Sequence, residues 1–148
     1  MFQIGVLYWS MNIPGQVAMR KGLEDEAAKI NRQADSVAGL QGVNLLVREA
    51  GDEDKGIERQ MQQMYDQTKA RHSYIVQPTV NAALAGPLMA ANRAKIPVVT
   101  YDQYISGGEI ASYLTSVRYL FRFFRLPEKQ LICFQDGKIT NYRFKINA

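Results

Sequence analysis

The sequence has few of the residues that build metal centres and disulfides, with one cysteine and one histidine in 148 residues. A single cysteine excludes an internal disulfide and leaves too few thiols for a zinc cluster. No apolar run reaches the roughly 18 residues of a transmembrane helix. No basic segment or cleavage site precedes the first strand pattern, so we recognise no export signal in the numbered chain. We therefore expect a soluble chain with no metal and no other cofactor.

Basic residues are scarce in most of the chain, although the net charge is +4. Residues 1–117 contain 11 Lys and Arg against 12 Asp and Glu, whereas residues 118–148 contain seven against two. The positive charge that a nucleic acid or an anionic surface would require therefore belongs to the tail alone. Nucleic acid is not an expected partner.

The first 117 residues alternate between strand and helix patterns. The continuous apolar run FQIGVLYW (2–9) is typical of a parallel strand that is buried on both faces. Hydrophobic periodicity predicts further strands at 43–48, 74–77 and 96–102, and helices at 15–33, 51–70 and 81–94. The predicted inward stripes are Val17, Leu23, Ala27 and Ile30 in the first helix, and Ile57, Met61, Met64 and Tyr65 in the second. The predicted fold class is α/β, with a doubly wound parallel sheet.

Polar side chains follow the predicted strands. Loops at the carboxyl ends of an open parallel sheet are where ligands bind, and here they span 9–16, 49–54, 77–83 and 101–108. These loops carry amides, hydroxyls or carboxylates. Such groups suit a polyhydroxy ligand, whose C–H face can stack on a ring such as Trp9. Composition alone leaves open whether the loops bind a ligand or are simply polar.

Three stretches together resemble a known family. They are IGVLYWSMNIPGQVAMRKGLEDEA, YIVQPTVNAALAGPLMAANRAKIPVVTYDQ and GEIASYLTS, within roughly residues 3–116. Their order and spacing resemble the N-terminal lobe of the ribose-type periplasmic sugar-binding proteins, which are type I periplasmic binding proteins. The resemblance implies two lobes that close over a sugar, with ligand contacts from Trp9, Ser10, Asn12, Gln16, Asn81, Asp102 and Gln103. Val80 departs from the family, which commonly has an acid there to accept hydrogen bonds from the sugar.

The function implied by this resemblance is sugar binding without catalysis. The protein would be the substrate-binding component of an ABC-type sugar uptake system, with a small-molecule sugar and a membrane permease as partners and a periplasmic location. One alternative is the effector-binding domain of a lactose-repressor-type transcription regulator, which would be cytoplasmic. Another is a scaffold whose basic tail binds a membrane surface or a partner. Self-association through the exposed lobe surface is also open.

The family resemblance stops near Val117. Residues 118–148 resemble nothing in the family, so we predict a sugar-binding-protein-like lobe at 1–117, incomplete in this chain, and a basic aromatic tail at 118–148. A truncated, frameshifted or fused chain would explain the change, and so would a natural chain that borrowed one lobe. The sequence does not choose between them.

The tail has two structural patterns of its own. Val117, Leu120, Phe121 and Phe124 lie on one helical face and Arg118, Arg122 and Arg125 on another, which predicts a short basic amphipathic helix. Its aromatic side chains would cover the sheet, or its arginines would contact an anionic surface. An Asp136-Gly137 turn between apolar-rich runs predicts a β-hairpin over 131–146.

Overall fold

The computed structural model describes residues 1–116, 130–135 and 138–143, and the side chains of residues 1–114. The elements, in chain order, are β1 (Phe2–Tyr8), α1 (Pro14–Ser36), β2 (Val43–Glu49), α2 (Gly56–Lys69), β3 (Ser73–Val76), α3 (Ala85–Arg93), β4 (Val98–Tyr101), β5 (Ser112–Ser116), β6 (Gln130–Gln135) and β7 (Lys138–Arg143). The strands form one sheet in the order β2-β1-β3-β4-β5-β6-β7. All neighbours are parallel except β6 and β7. The predicted α/β fold with a parallel sheet is confirmed.

Helices cover both faces of this sheet, as consecutive residues of β1 demonstrate. Leu7 packs with Met64 of α2 in the main core, and the backbone of Gly5 lies against the side chain of Gln67. The ring of Tyr8 lies instead under Arg20 of α1, with 5.6 Å from the guanidinium carbon to the ring centroid. Because successive side chains of a strand point to opposite faces, α1 lies on one face and α2 on the other.

The hydrophobic core lies between the sheet and the α2–α3 layer. Its buried residues are Leu7, Met64, Tyr74, Val76, Leu84, Leu88, Ala91, Ile96, Val98, Ile105 and Ile110. The core therefore fixes the central strands β1, β3 and β4, whose carboxyl ends lie along one edge of the sheet.

Within the part of the chain that the structure describes, no helix combines the length and the apolar character that a membrane span requires.

The inward stripe of α1 differs from the prediction at one position. Val17 is 45% exposed, whereas Gln16 and Ala27 are buried. Successive helical residues point about 100° apart, so the burial of Gln16 turns Val17 away from the sheet. Placing Val17 in the core was wrong.

The inward stripe of α2 contains polar residues that the apolar pattern overlooked. Tyr65 is 40% exposed and was wrongly predicted to face inward, since Met64, one position earlier, occupies the core. Gln60 and Gln67 are buried instead. The side-chain oxygen Oε1 of Gln67 accepts a hydrogen bond from Nδ1 of His72 at 3.1 Å. Buried glutamines with partners cost little to bury, and hydrophobic periodicity does not detect them.

The C-terminal part extends the sheet. Strand β5 was not predicted, because SYLTS is short and largely polar. Strands β6 and β7 pair antiparallel, which confirms the two arms of the predicted hairpin, while the Asp136-Gly137 turn lies outside the described residues. The predicted amphipathic helix at 117–125 also lies outside them, and the domain boundary at residue 117 stays a prediction.

Candidate functional site

The turn after β1 is hydrogen-bonded to the loop after β2. Two backbone hydrogen bonds, of 2.8 and 2.7 Å, join the carbonyl oxygens of Tyr8 and Trp9 to the N–H groups of Ala50 and Gly51. The turn ends at Pro14, whose fixed φ suits the first position of α1. The carboxyl ends of β1 and β2 are thereby held side by side, with Trp9 half-buried between them and solvent.

Ser10 and Asn12 organise the turn around a carboxylate. Ser10 is fully buried, and its Oγ accepts a hydrogen bond from the N–H of Asn12 at 3.2 Å. The side-chain amide of Asn12 donates to Oδ2 of Asp52 at 3.4 Å. Hydrogen bonds from Ser10 and then Asn12 hold the pKa of the Asp52 carboxyl below its usual value. Asp52 is therefore ionised at neutral pH and available as a hydrogen-bond acceptor.

A polar cavity of about 520 Å³ opens at this corner of the sheet. It is lined by Asn12, Glu49, Gly51, Asp52, Glu53 and Arg59. The guanidinium of Arg59 donates a hydrogen bond to the backbone carbonyl of Ala50. Its Nη2 lies 3.3 Å from Oε2 of Glu53. The cavity thus offers carboxylates, an amide and a guanidinium, which together can donate to and accept from hydroxyl groups.

Gln77, directly after β3, links the ends of β1 and β4. It is fully buried. Its Oε1 accepts a hydrogen bond from the N–H of Trp9 at 3.3 Å, and its Nε2 donates to Oδ2 of Asp102 at 3.2 Å. Gln60 of α2 donates to the Gln77 carbonyl at 2.8 Å and accepts from the N–H of Thr79 at 2.7 Å. One amide therefore connects three strand ends.

Asp102 directly follows β4 and has a left-handed backbone conformation, with φ of 66°. Aspartate tolerates this region better than most residues. Its N–H donates to the carbonyl of Leu114 at 2.9 Å, and its carbonyl accepts from the hydroxyl of Tyr113 at 3.2 Å. Both partners belong to β5, so the unpredicted strand fixes the direction in which Asp102 leaves the sheet.

Two tyrosine hydroxyls are buried at the carboxyl ends of β1 and β4, that of buried Tyr8 and that of half-buried Tyr101. Burial raises the pKa of Tyr8 to about 12 and also raises the pKa of Tyr101, with a smaller contribution from Tyr8 to the latter. Neither hydroxyl has a hydrogen-bond partner within the part of the chain that the structure describes. Both phenols therefore stay neutral at physiological pH and add no charge to the site.

Comparison with known families accounts for this architecture. Residues 4–121 match the periplasmic binding protein domain, which is well over half of the chain. The chain belongs to this family. The predicted resemblance to a periplasmic sugar-binding lobe is confirmed.

Relatives of this periplasmic binding protein domain include the ribose import binding proteins. Those of Salmonella typhimurium and Bacillus subtilis are 26% identical over 114 residues and 25% identical over 119 residues, covering 76% and 78% of this chain. The matches cover 34% and 33% of the relatives, so the chain spans about a third of their length.

Solved structures share the fold at lower identity. The binding-protein component of the arabinose ABC transporter from Shewanella sp. ANA-3 is 19% identical, with a TM-score of 0.62, covering 77% of this chain and 34% of its own. A galactofuranose binding protein is 16% identical, with a TM-score of 0.63, covering 78% of this chain and 36% of its own. These likenesses support the lobe fold of the periplasmic binding protein domain.

The structure brings some of the predicted site residues of this periplasmic binding protein domain to one edge. Trp9, Ser10 and Asn12 follow β1, and Asp102 and half-buried Gln103 follow β4, with Gln77 between the two groups. These five predicted residues lie at the carboxyl ends of β1 and β4, a region that we call the carboxyl-end crevice, and Ser10 is fully buried within it. Their role as ligand contacts stays a prediction.

Gln16 and Asn81 are the two predicted site residues that differ from this group in burial or in loop position. Gln16 is only 5% exposed in the first turn of α1, and its Oε1 has no partner among the described residues. Asn81 is exposed in the turn before α3, next to Val80, which is 40% exposed. No hydrogen bond of the described residues ties either side chain to the crevice.

Sequence analysis missed two residues of the site, Gln77 and Asp52. Gln77 was placed at the junction of the third strand and the loop at 77–83, but it was not named as a site residue. Asp52 lies in an acidic stretch that is also typical of a solvated surface. In both cases the available signal was position, since each follows a parallel strand at its carboxyl end.

Proposed function

We propose that the chain supplies one half of a sugar-binding site, at the carboxyl-end crevice formed by Trp9, Ser10, Asn12, Asp102 and Gln103. The observation that carries this proposal is the Gln77 amide, which joins the ends of β1 and β4 through bonds to Trp9 and Asp102. Polar side chains of two loops far apart in sequence are thereby directed to one edge of the sheet.

The chemistry of the crevice suits a polyhydroxy ligand. Each sugar hydroxyl is both a donor and an acceptor, so it requires carboxylates or carbonyls as well as N–H groups. Asp102 supplies a carboxylate and Asn12 an amide, and the ring of Trp9 offers an apolar face for the C–H groups of a sugar. Val80 supplies no hydrogen-bond acceptor for a sugar hydroxyl. The carboxylates of Asp52 and Glu49, which line the adjoining cavity with Asn12, would supply acceptors instead.

The wider role that we propose is solute binding for ABC-type sugar import in the periplasm, without chemical turnover. The relatives named as ribose import binding proteins, and the arabinose-transporter component among the similar structures, support this role. They also favour transport over the effector domain of a transcription regulator. A membrane permease and a second sugar-contacting lobe are the partners that this role requires.

Replacing crevice residues should remove sugar binding without unfolding the protein. We expect Asn12→Ala and Asp102→Asn to weaken binding of D-ribose or L-arabinose about tenfold or more, since a buried sugar hydroxyl would lose its partner. Asparagine also tolerates the left-handed backbone at position 102. NMR titration of the labelled protein measures binding, and thermal melting measures stability. The free energy of unfolding should change by less than about 1 kcal/mol.

The matched control for these variants is Asn44→Ala. Asn44 is an exposed asparagine at the amino end of β2, where its amide donates to Oε1 of Gln3 at 2.7 Å. Its replacement should leave sugar binding unchanged. Unfolding of both crevice variants would mean that Asn12 and Asp102 are structural, and full retention of binding would remove them from the site.

A further inference from the structure

We infer that Gln77 is a positioning residue, whose amide sets the relative placement of Trp9 and Asp102 within the crevice. The inference rests on the proposed sugar site for its functional meaning. The coupling itself consists of two hydrogen bonds within the chain, from the N–H of Trp9 to Gln77 and from Gln77 to Asp102.

The surroundings of Gln77 leave its amide little freedom. Its N–H donates to the carbonyl of Leu7 at 2.9 Å, and its own carbonyl is held by Gln60 at 2.8 Å. The side chain is fully buried, so water does not compete for its amide atoms. Both the backbone and the side chain of Gln77 are therefore fixed by neighbouring strands and by α2.

An amide is a neutral side-chain group that meets both demands at this position. The N–H of Trp9 requires an acceptor, and the side-chain oxygen of Asp102 requires a donor. A carboxylate at position 77 would satisfy Trp9 but repel Asp102, and an apolar side chain would satisfy neither. Gln77 engages Oδ2 of Asp102, and no hydrogen bond of the described residues engages Oδ1, which can therefore accept a bond from a ligand.

The side-chain amide of Gln77 has two hydrogen-bond partners in the described part of the chain. Its partners are the backbone N–H of Trp9, just after β1, and the carboxylate of Asp102, just after β4, whereas Gln60 of α2 donates to the backbone carbonyl of Gln77. Asp102 is thus the one titratable side chain that hydrogen-bonds to it among the described residues. A titratable group introduced at position 77 would couple first to Asp102.

The substitution Gln77→Glu tests this arrangement through its dependence on pH. Two carboxyl groups about 3 Å apart share a proton, so one of them has a strongly raised pKa. The protonated pair reproduces the original bonds, with an O–H donor toward Asp102 and a carbonyl acceptor for Trp9. As the pH rises and the proton leaves, repulsion between the carboxylates breaks the pattern.

The fluorescence of Trp9 reports this change directly, because the chain has one tryptophan. In Gln77→Glu we expect the emission to resemble that of the original protein near about pH 5 and to shift as the pH rises toward about 8, whereas the original protein shows no such transition. Sugar binding by the variant should weaken about tenfold or more over the same interval. Emission that is independent of pH in the variant would overturn the inference.

The matched control is Gln67→Glu, the same change at a second buried glutamine. Gln67 lies against Gly5, about 13 Å from Trp9 along β1 at roughly 3.3 Å per residue, and its partner is His72. The Gln67→Glu variant should therefore show the same pH dependence of Trp9 emission as the original protein.

The variant Gln77→Met keeps the test decisive if Gln77→Glu does not fold. It preserves the length and burial of the side chain but removes both hydrogen bonds, so it should shift Trp9 emission at every pH and weaken sugar binding about tenfold. Unchanged emission would contradict the inference. If the original protein binds no sugar, the proposed function fails, while the emission measurements still decide whether Gln77 couples Trp9 to Asp102.

Discussion

Deleting residues 118–148 is expected to leave a chain that aggregates or binds hydrophobic dyes. The deletion removes β6 and β7, and β6 pairs with β5 from Tyr113 to Ser116. Without β6, the backbone donors and acceptors along that side of β5 form an open sheet edge, which is a template for pairing with another chain. Size-exclusion chromatography, dye fluorescence and thermal melting of the 1–117 fragment measure the effect.

A shorter deletion provides the control. A chain that ends after Arg143 keeps the whole of β6 and β7, and it should melt cooperatively like the full chain. A soluble 1–117 fragment with a cooperative transition would contradict the expectation and would mean that the outer strands are dispensable for the lobe.

Replacing Gly56 with alanine is expected to destabilise the protein by about 1–3 kcal/mol, because a side chain there overfills a packed contact. A Cβ at Gly56 would lie 2.2 Å from the backbone oxygen of Gly51. Backbone atoms cannot rotate away as a flexible side chain can, so the loop at 51–56 must shift. That loop includes Asp52 and lines the polar cavity, so the position of a proposed sugar contact would move with it.

The contrast with Gly22 isolates the contact from the loss of glycine itself. Gly22 lies within α1, and a Cβ there would have no heavy atom within 4 Å. Gly22→Ala should therefore stabilise the protein by about 0.5–1 kcal/mol, as expected for alanine in a helix interior. Each 1 kcal/mol corresponds to roughly 2–4 °C in Tm for a chain of this size. Equal melting temperatures for Gly56→Ala and the original protein would show that the loop relaxes freely.

The sequence predicted the fold best where burial and apolar character coincide. The run at 2–9 and the alternation that follows it indicated a parallel sheet covered by helices, and β1 to β4 lie where the pattern placed them. The errors at Val17 and Tyr65 have one cause, since in each case the residue just before it in sequence takes the inward position. Gln60 escaped detection because hydrogen bonds, and not hydrophobicity, stabilise its buried amide.

The site was predicted from strand ends and from the family resemblance, and its connecting elements were not. Trp9 and Asp102 were selected because they follow strands, and the structure places both on the amide of Gln77. That bridge depends on three-dimensional register, which a single sequence does not reveal. The fixing of Asp102 by Leu114 and Tyr113 was missed for the same reason, because it depends on the unpredicted strand β5.

The measurement that tests the central claim most directly is an NMR titration of the isotopically labelled chain with D-ribose and L-arabinose. We predict saturable shifts at the Trp9 indole and at the amides of residues 10–12, 77 and 102–103, with a Kd of about 1 mM or weaker because these loops contact one face of a sugar. Shifts centred elsewhere, or no saturable shift with any sugar in a panel of pentoses and hexoses, would contradict the proposed site. Micromolar affinity would contradict the claim that the chain supplies only half of it.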